Sequence, residues 1–330
     1  MIAHFQDYAE SIRPTLDTSF ASYLAHLLRD TGPLQSEAPA PILMGGKKIR
    51  ASLVCLVTMT LGGALEDAVP RAIAVELIHT ATLIHDDFVD QHKLRRNSPA
   101  LWTLAGARRA VLLGDIIFAS AIQMMGELGR EDGLVVSRAI AEVSRGAYQE
   151  PLNPSAFLEE IEADGEDAAL YEKIIYLKTG ILFGAACQLG AIAAKADDKL
   201  QQKWRRYGLK IGEAYQIADD FHEVEQYLLT RSITESEMAA LAPALLFFVG
   251  KSRPCILKAV QNSSGSSEEL LKHFGAAARA MKAEIRNRLR SAASEIEGDL
   301  SDNEYSRLAQ EAPYDIVRIF NEARPAVASP

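Results

Sequence analysis

Leu83-Ile84-His85-Asp86-Asp87-Phe88-Val89-Asp90 puts three carboxylates on one turn at the end of a long apolar-periodic run. Asp86 and Asp90 stand four apart and share a helix face, with Asp87 about 100° round from Asp86. Like charges so spaced repel and weaken a helix unless a cation neutralises them. Hard oxygen ligands with no cysteine nearby favour Mg²⁺ or Mn²⁺. Far downstream, Asp219-Asp220-Phe221-His222-Glu223 repeats the i, i+4 spacing at Asp219 and Glu223. Taken alone, that second cluster also reads as a solvated helix face. Two such clusters facing each other would hold several divalent ions, and those ions would hold a diphosphate.

The remainder of the chain is apolar enough to bury such a site. Of 330 residues, 48% are hydrophobic and 24% charged, enough for a full core. The net charge of −9, with no long basic run, argues against a nucleic-acid binder. Cys55, Cys187 and Cys255 are scattered beside apolar stretches and read as buried reduced thiols. The run from Met1 to Asp7 carries acid and no apolar h-region, so a soluble cytoplasmic protein is expected. Ile181–Ala194 is interrupted by Gly184, Gln188 and Gly190 and is too short to span a bilayer, so no stable membrane insertion is expected.

Helix follows helix along the sequence. Apolar residues at helical spacing predict helices over Leu16–Arg29, Ile49–Leu61, Val69–Phe88, Ala107–Glu127, Leu134–Ala147, Tyr171–Ala194 and Trp204–Tyr227. Leu34–Gly46 is looser, broken by Pro39 and Pro41, and Gln261–Ser267 is the most loop-like stretch. Thr234-x-x-Glu237, Ser266-x-x-Glu269 and Ser301-x-x-Glu304 have capping-box form and introduce further helices. No alternating Val/Thr/Ile segments appear between turn pairs, so strands are not expected. One all-α domain over residues 1–330 is the reading.

Cations gather at a few places. Gly45-Gly46-Lys47-Lys48-Ile49-Arg50 combines flexible backbone with positive charge at a helix start, which suits phosphate but also reads as a solvated helix start. Arg95-Arg96, ahead of the turn-forming Asn97-Ser98-Pro99, either compensates the triplet's charge or grips phosphate oxygens in bidentate fashion. Lys178, in Tyr176-Leu177-Lys178-Thr179-Gly180 on an apolar helix, must snorkel out or meet an anion. Gln216 precedes Asp219 by three residues and is placed to aid the second cluster, though Tyr215-Gln216 also fits a core tyrosine beside a solvated amide. His79 lies two turns before Asp86 on nearly the same face, where contact with an anion competes with a core role. His85 points elsewhere and reads as structural.

Together these residues resemble the trans-isoprenyl diphosphate synthase (polyprenyl synthetase) family over roughly residues 43–223. Glu76–Asp90 looks like its first aspartate-rich motif, and Gly46-Lys47-Lys48-Ile49-Arg50 resembles its Gly-Lys-Arg-x-Arg element. Arg95-Arg96-x-x-Pro99 resembles its Arg-Arg-Gly-x-Pro element, and Gly114-Asp115 and Lys178-Thr179 stand at family positions. The resemblance implies an isoprenoid-synthase-type helical bundle around a central cavity, usually a homodimer. It implies three Mg²⁺ ions bound by Asp86, Asp90 and Asp219, with Asp87, Asp220 and Glu223 supporting directly or through water. Arg95, Lys178, Thr179 and Gln216 would hold an allylic diphosphate, and Lys47, Arg50, His79 and Arg96 isopentenyl diphosphate. The allylic C–O bond would ionise and the cation be attacked by the isopentenyl double bond.

Chain length in the family is limited by aromatics four or five residues before the first Asp. Here those positions are Thr82 and Ala81, so a product longer than C15 is expected, with Phe118, Met124 and Met125 as candidate floor residues. The departures lie in the second half of the site. Glu223 ends the second motif, and Val224–Glu237 has neither lysine nor glycine where the family carries a Gly-Lys loop. Asn97 replaces a usual glycine and Trp102 a common histidine. Two other functions therefore stand beside elongation: a catalytically weak partner subunit of a heteromeric synthase, and a terpene cyclase on the same fold. The cyclase motif is not matched at Asp219, Glu223 and Tyr227.

Overall fold

Apolar residues three and four apart give most helices one buried stripe, and those stripes decide what packs on what. The computed structural model describes residues 4–29, 43–96, 98–149, 167–250, 256, 268–300 and 302–322. In α1 (Phe5–Leu27) the stripe is Phe5, Tyr8, Ile12, Leu16, Phe20 and Leu24. That helix starts at Phe5 rather than the expected Leu16 and runs through Pro14, a residue that normally breaks a helix. Burial of Phe5, Tyr8 and Ile12 offsets the loss, and the Phe5 N–H donates to Asp315 Oδ2 at 2.8 Å.

The hub is α8 (Ile181–Ala193), buried on every side except at Gln188. It packs against α2 (Ile49–Thr60), α3 (Leu65–Val89), α6 (Arg130–Gln149) and α9 (Asp198–Thr230). The α8–α9 crossing is close because glycines line it. A Cβ on Gly208 would lie 2.3 Å from the Phe183 carbonyl oxygen, and one on Gly212 would lie 2.8 Å from Gly180 Cα.

The second half of α9 carries a further apolar cluster with α10 (Glu235–Val249) and α11 (Glu268–Ile296), while its first half belongs to the main core. α12 (Glu304–Glu322) returns to α1 and α2. The capping box at Thr234 and Glu237 is formed as expected. Asn97, Cys255, Ser266, Ser301 and the stretch 261–267 lie outside the described residues. Cys55 and Cys187 are free and buried.

Three sequence expectations change. A two-residue hairpin, β1 (Leu94–Arg95) with β2 (Ser98–Pro99), forms where no strand was expected, Leu94 pairing with Pro99 and Arg95 with Ser98. The helix expected over Tyr171–Ala194 is α7 (Asp167–Ile175), a π-helical turn at Tyr176–Gly180, and then α8. Finally, Leu170–Ala193 and α5 (Ala107–Leu128) are both long and apolar enough to cross a membrane, the first because α7 and the π turn lead directly into α8. In the first, 78% of the apolar window is buried inside the protein, as befits a core helix; in α5 only 28% is. α5 follows the short α4 (Leu101–Ala105) and turns Leu112, Ile116, Ile122 and Leu128 outward.

Candidate active site

Gly46 turns the chain into α2 at φ +114°, where a side chain would also meet the Arg96 guanidinium at 3.0 Å. The Arg96 guanidinium thus lies close against Gly46, an approach that explains the glycine. Lys48, in the left-handed region at φ 51°, points down rather than out. Its buried ammonium lies 4.1 Å from the Phe20 ring and 3.9 Å from Asp17, anchoring the loop to α1 and leaving Lys47 exposed. Arg13 adds a bond to the Gly46 carbonyl at 3.1 Å. No side chain of its own caps α2; Glu76 of α3, itself buried, accepts the Ala51 N–H at 3.2 Å instead.

Arg50 stacks over the Phe183 ring at 4.6 Å, and its Nε is buried without a hydrogen-bond partner among the described residues. Such a donor costs about 1–3 kcal/mol if left dry, so an anion is its natural complement. Tyr215 of α9 also packs on Phe183, 5.6 Å between rings, which brings α9 to the cation wall. His79 sits within this field. Burial, then Arg50, Arg96, Arg95 and Lys48, push its pKa well below 6.5.

The unfolded chain protonates His79 near pH 6.5 and the native one does not, so this group's contribution to stability is present above pH 6.5 and is lost as pH falls below it. His79→Gln should therefore flatten the drop in Tm between about pH 7 and pH 5.5. Melts followed by circular dichroism at several pH values check this, and an unchanged slope would refute it.

The triplet occupies the C-terminal end of α3, whose last turn contains no basic residue. The negative end of the helix dipole adds to three carboxylates there, so the end of α3 attracts cations. Asp87 is buried and already paired: Arg95 donates to its Oδ1 through Nε at 2.9 Å and Nη2 at 2.5 Å. Of the two roles open to Arg95, charge compensation is the one this arrangement displays. Asp86 is half-buried and Asp90, the C-cap, is exposed. His85 turns away onto α5, with Nε2 3.0 Å from the Val111 carbonyl and its ring 5.5 Å from Phe118. It rests on Gly114, where a Cβ would lie 2.2 Å from Nε2, so Gly114 serves to seat His85.

Opposite residues come from the π turn and α9. An extra residue in the turn breaks the regular ladder at Lys178-Thr179, a device common at functional sites. Lys178 is exposed and Thr179 buried. Thr179 donates to Gln216 Oε1 at 2.6 Å, Gln216 donates to Asp220 Oδ1 at 3.0 Å, and Tyr171 donates to Asp220 Oδ2 at 2.7 Å. Burial raises the Asp220 pKa to about 6 against those two bonds and nearby Lys178. Asp220 is thus engaged at both oxygens, whereas Asp219 is half-buried and Glu223 exposed on the neighbouring surface of α9. No lysine loop follows: α9 continues to Thr230 and a short link leads to α10.

All candidate donors for a metal are carboxylate oxygens. Among the described residues no three His, Cys, Asp or Glu side chains converge enough to hold an ion alone. That donor set fits Mg²⁺, which commonly takes one or two carboxylates and completes its shell with water and substrate phosphate. The sequence reading missed Glu76, Tyr171 and Phe183. Only Glu76 left a signal, as the one acid in the apolar stretch of α3 between Arg71 and Asp86.

The family model described as Polyprenyl synthetase matches residues 34–228. The short chain isoprenyl diphosphate synthase of Methanothermobacter thermautotrophicus is 32% identical over 235 residues, 70% of this chain and 68% of that protein. Heptaprenyl diphosphate synthase component 2 of Geobacillus stearothermophilus is 35% identical over 190 residues, 57% of each chain. Among solved structures, the polyprenyl synthase from Caulobacter crescentus CB15, complexed with calcium and isoprenyl diphosphate, superposes with a TM-score of 0.72. It is 23% identical and covers 94% of this chain and 97% of its own, a likeness of fold.

Proposed function

The chain belongs to the trans-isoprenyl diphosphate synthase (polyprenyl synthetase) family, and on that premise we propose that it condenses isopentenyl diphosphate with an allylic diphosphate, head to tail, in a Mg²⁺-dependent reaction. The observation that carries this reading is the cation wall around His79, with the partnerless buried Nε of Arg50 within it. Arg50, Arg96, Lys47 and His79 bind the isopentenyl diphosphate. Across the site Lys178, Thr179 and Gln216 bind the allylic diphosphate, and Arg95 joins them from its pairing with Asp87. Asp86, Asp90 and Asp219 hold the metal, three ions by family resemblance, with Glu223 and Asp220 supporting. When bound, Mg²⁺ supplies charge stabilisation to the departing diphosphate. The allylic C–O bond breaks, a C–C bond forms from the isopentenyl double bond, and the released diphosphate takes the proton.

Ala81 is buried and small, and Thr82 spends its hydroxyl on the His79 carbonyl at 2.8 Å, which supports a tunnel open past the first motif and a product longer than C15. One assay tests the whole reading: protein, Mg²⁺, isopentenyl diphosphate and C5, C10, C15 or C20 primers, with products resolved by length. Longer diphosphates support it. A hydrocarbon or alcohol from one allylic substrate would indicate a cyclase. No product until a second protein is added would indicate a partner subunit, a reading that the absent loop lysine and the engaged Asp220 keep in view.

The outward apolar side chains of α5 support a homodimer, which we place in the cytoplasm. Leu112, Ile116, Ile122 and Leu128 are large apolar side chains left exposed, which association of two copies would cover. Sedimentation without detergent should give a dimer, and Ile116→Glu a monomer. A monomeric wild-type chain, or one needing detergent, would overturn this assignment.

A further inference from the structure

Arg288 lies on α11, in the last third of the chain, to which the family motifs assign nothing. It is buried, and its planar fork reaches three carboxylates. Nη1 donates to Glu213 Oε2 at 2.5 Å, Nη2 to Glu172 Oε1 at 2.5 Å and Nε to Glu284 Oε1 at 2.7 Å. Burial alone would lower the guanidinium pKa; the bonds to Glu172, Glu213 and Glu284 outweigh it and raise it. Lys210, 3.9 Å from Glu213, brings a second cation to the cluster.

Its partners sit behind the allylic side of the site. Glu172 on α7 adjoins Tyr171, whose hydroxyl holds Asp220. Glu213 on α9 packs on the π turn, its Cγ 3.3 Å from where a Cβ on Gly180 would be. Gln216, which bonds Thr179, is one turn further along α9. A buried ion pair adds little net stability over an apolar pair of equal volume, so its use here is geometric.

We propose that Arg288, with Glu213 and Glu172, is a positioning clamp that fixes the π turn against α9 and so aligns Lys178 and Thr179 with Gln216 and Asp219 on the allylic diphosphate. The proposal rests on the functional reading above for the identity of that ligand. Two variants of the full-length protein test it, Arg288→Lys and the apolar pair Glu213→Leu/Arg288→Met. A lysine ammonium cannot fork to three carboxylates, and the apolar pair keeps the fold without the fork.

For both, the KM for farnesyl diphosphate should rise about tenfold or kcat fall as much, with the isopentenyl KM within about twofold. Amide exchange across residues 176–182 should quicken, and the Tm of the apolar pair should stay near the wild-type value. Unchanged exchange with unchanged allylic kinetics, or equal rises in both KM values, would overturn the clamp. Wild-type protein that elongates no primer would sink the functional reading instead, and the exchange rates would then decide the clamp alone.

Discussion

Asp86→Ala should lower the condensation rate by about 10³-fold or more while leaving thermal stability unchanged or slightly raised. A loss of that size corresponds to about 4 kcal/mol of transition-state stabilisation, the scale on which removal of one fixed charge partner acts in a water-excluded site. The fold should not suffer, because Asp86 is half-buried at the negative end of α3, and its removal relieves repulsion with Asp90 and the helix dipole. Initial rates at saturating substrates and added Mg²⁺, beside a melting curve, give both numbers. A rate within about tenfold of wild type would sink the metal assignment. Asp87→Ala is different in kind, since it would strand Arg95 and confound chemistry with structure.

Gly208→Val should have the largest effect on the fold, destabilising by about 3 kcal/mol or more. Its first added carbon would sit 2.3 Å from the Phe183 carbonyl oxygen and 2.8 Å from Cys187 Sγ. The oxygen belongs to backbone inside α8 and cannot step aside without moving the hub helix. A urea midpoint measured with Gly126→Ala as control separates crowding from helix propensity. Among the described residues nothing outside its own helix backbone lies within 4 Å of a Cβ at Gly126, so that change should be neutral or stabilising by about 0.5–1 kcal/mol. Equal midpoints for the two variants would refute the close-crossing argument.

The helices were legible in the sequence because burial imposes a 3.6-residue period on apolar residues, and most of the expected segments match to within a turn. Pro14 hid the first part of α1, since its cost is local while the compensating burial of Phe5 and Tyr8 depends on α12. The π turn left no trace because an extra residue in a helix alters the hydrogen-bond ladder and not the composition. Site residues were recognisable where chemistry demands charge in apolar surroundings, at Asp86, Asp219, Arg50 and Lys178. Pairings were not. Arg95 on Asp87 was one of two readings left open, while Tyr171 on Asp220 and Arg288 on Glu213 join side chains that local pattern cannot connect.

Lys178 reaches the site through a helix that has absorbed one residue too many. Deleting any single residue between Tyr176 and Gly180 would let α7 and α8 run on as one straight rod, with the segment before the deletion rotated by about 100°. Tyr171 would then swing off Asp220 and Glu172 off Arg288, while every apolar residue of α8 kept its place. The turn thus works as a phase shifter, setting the angular register of one half of the rod independently of the other. Changes of chain length, harmless in most surface loops, are the change this segment can least accommodate.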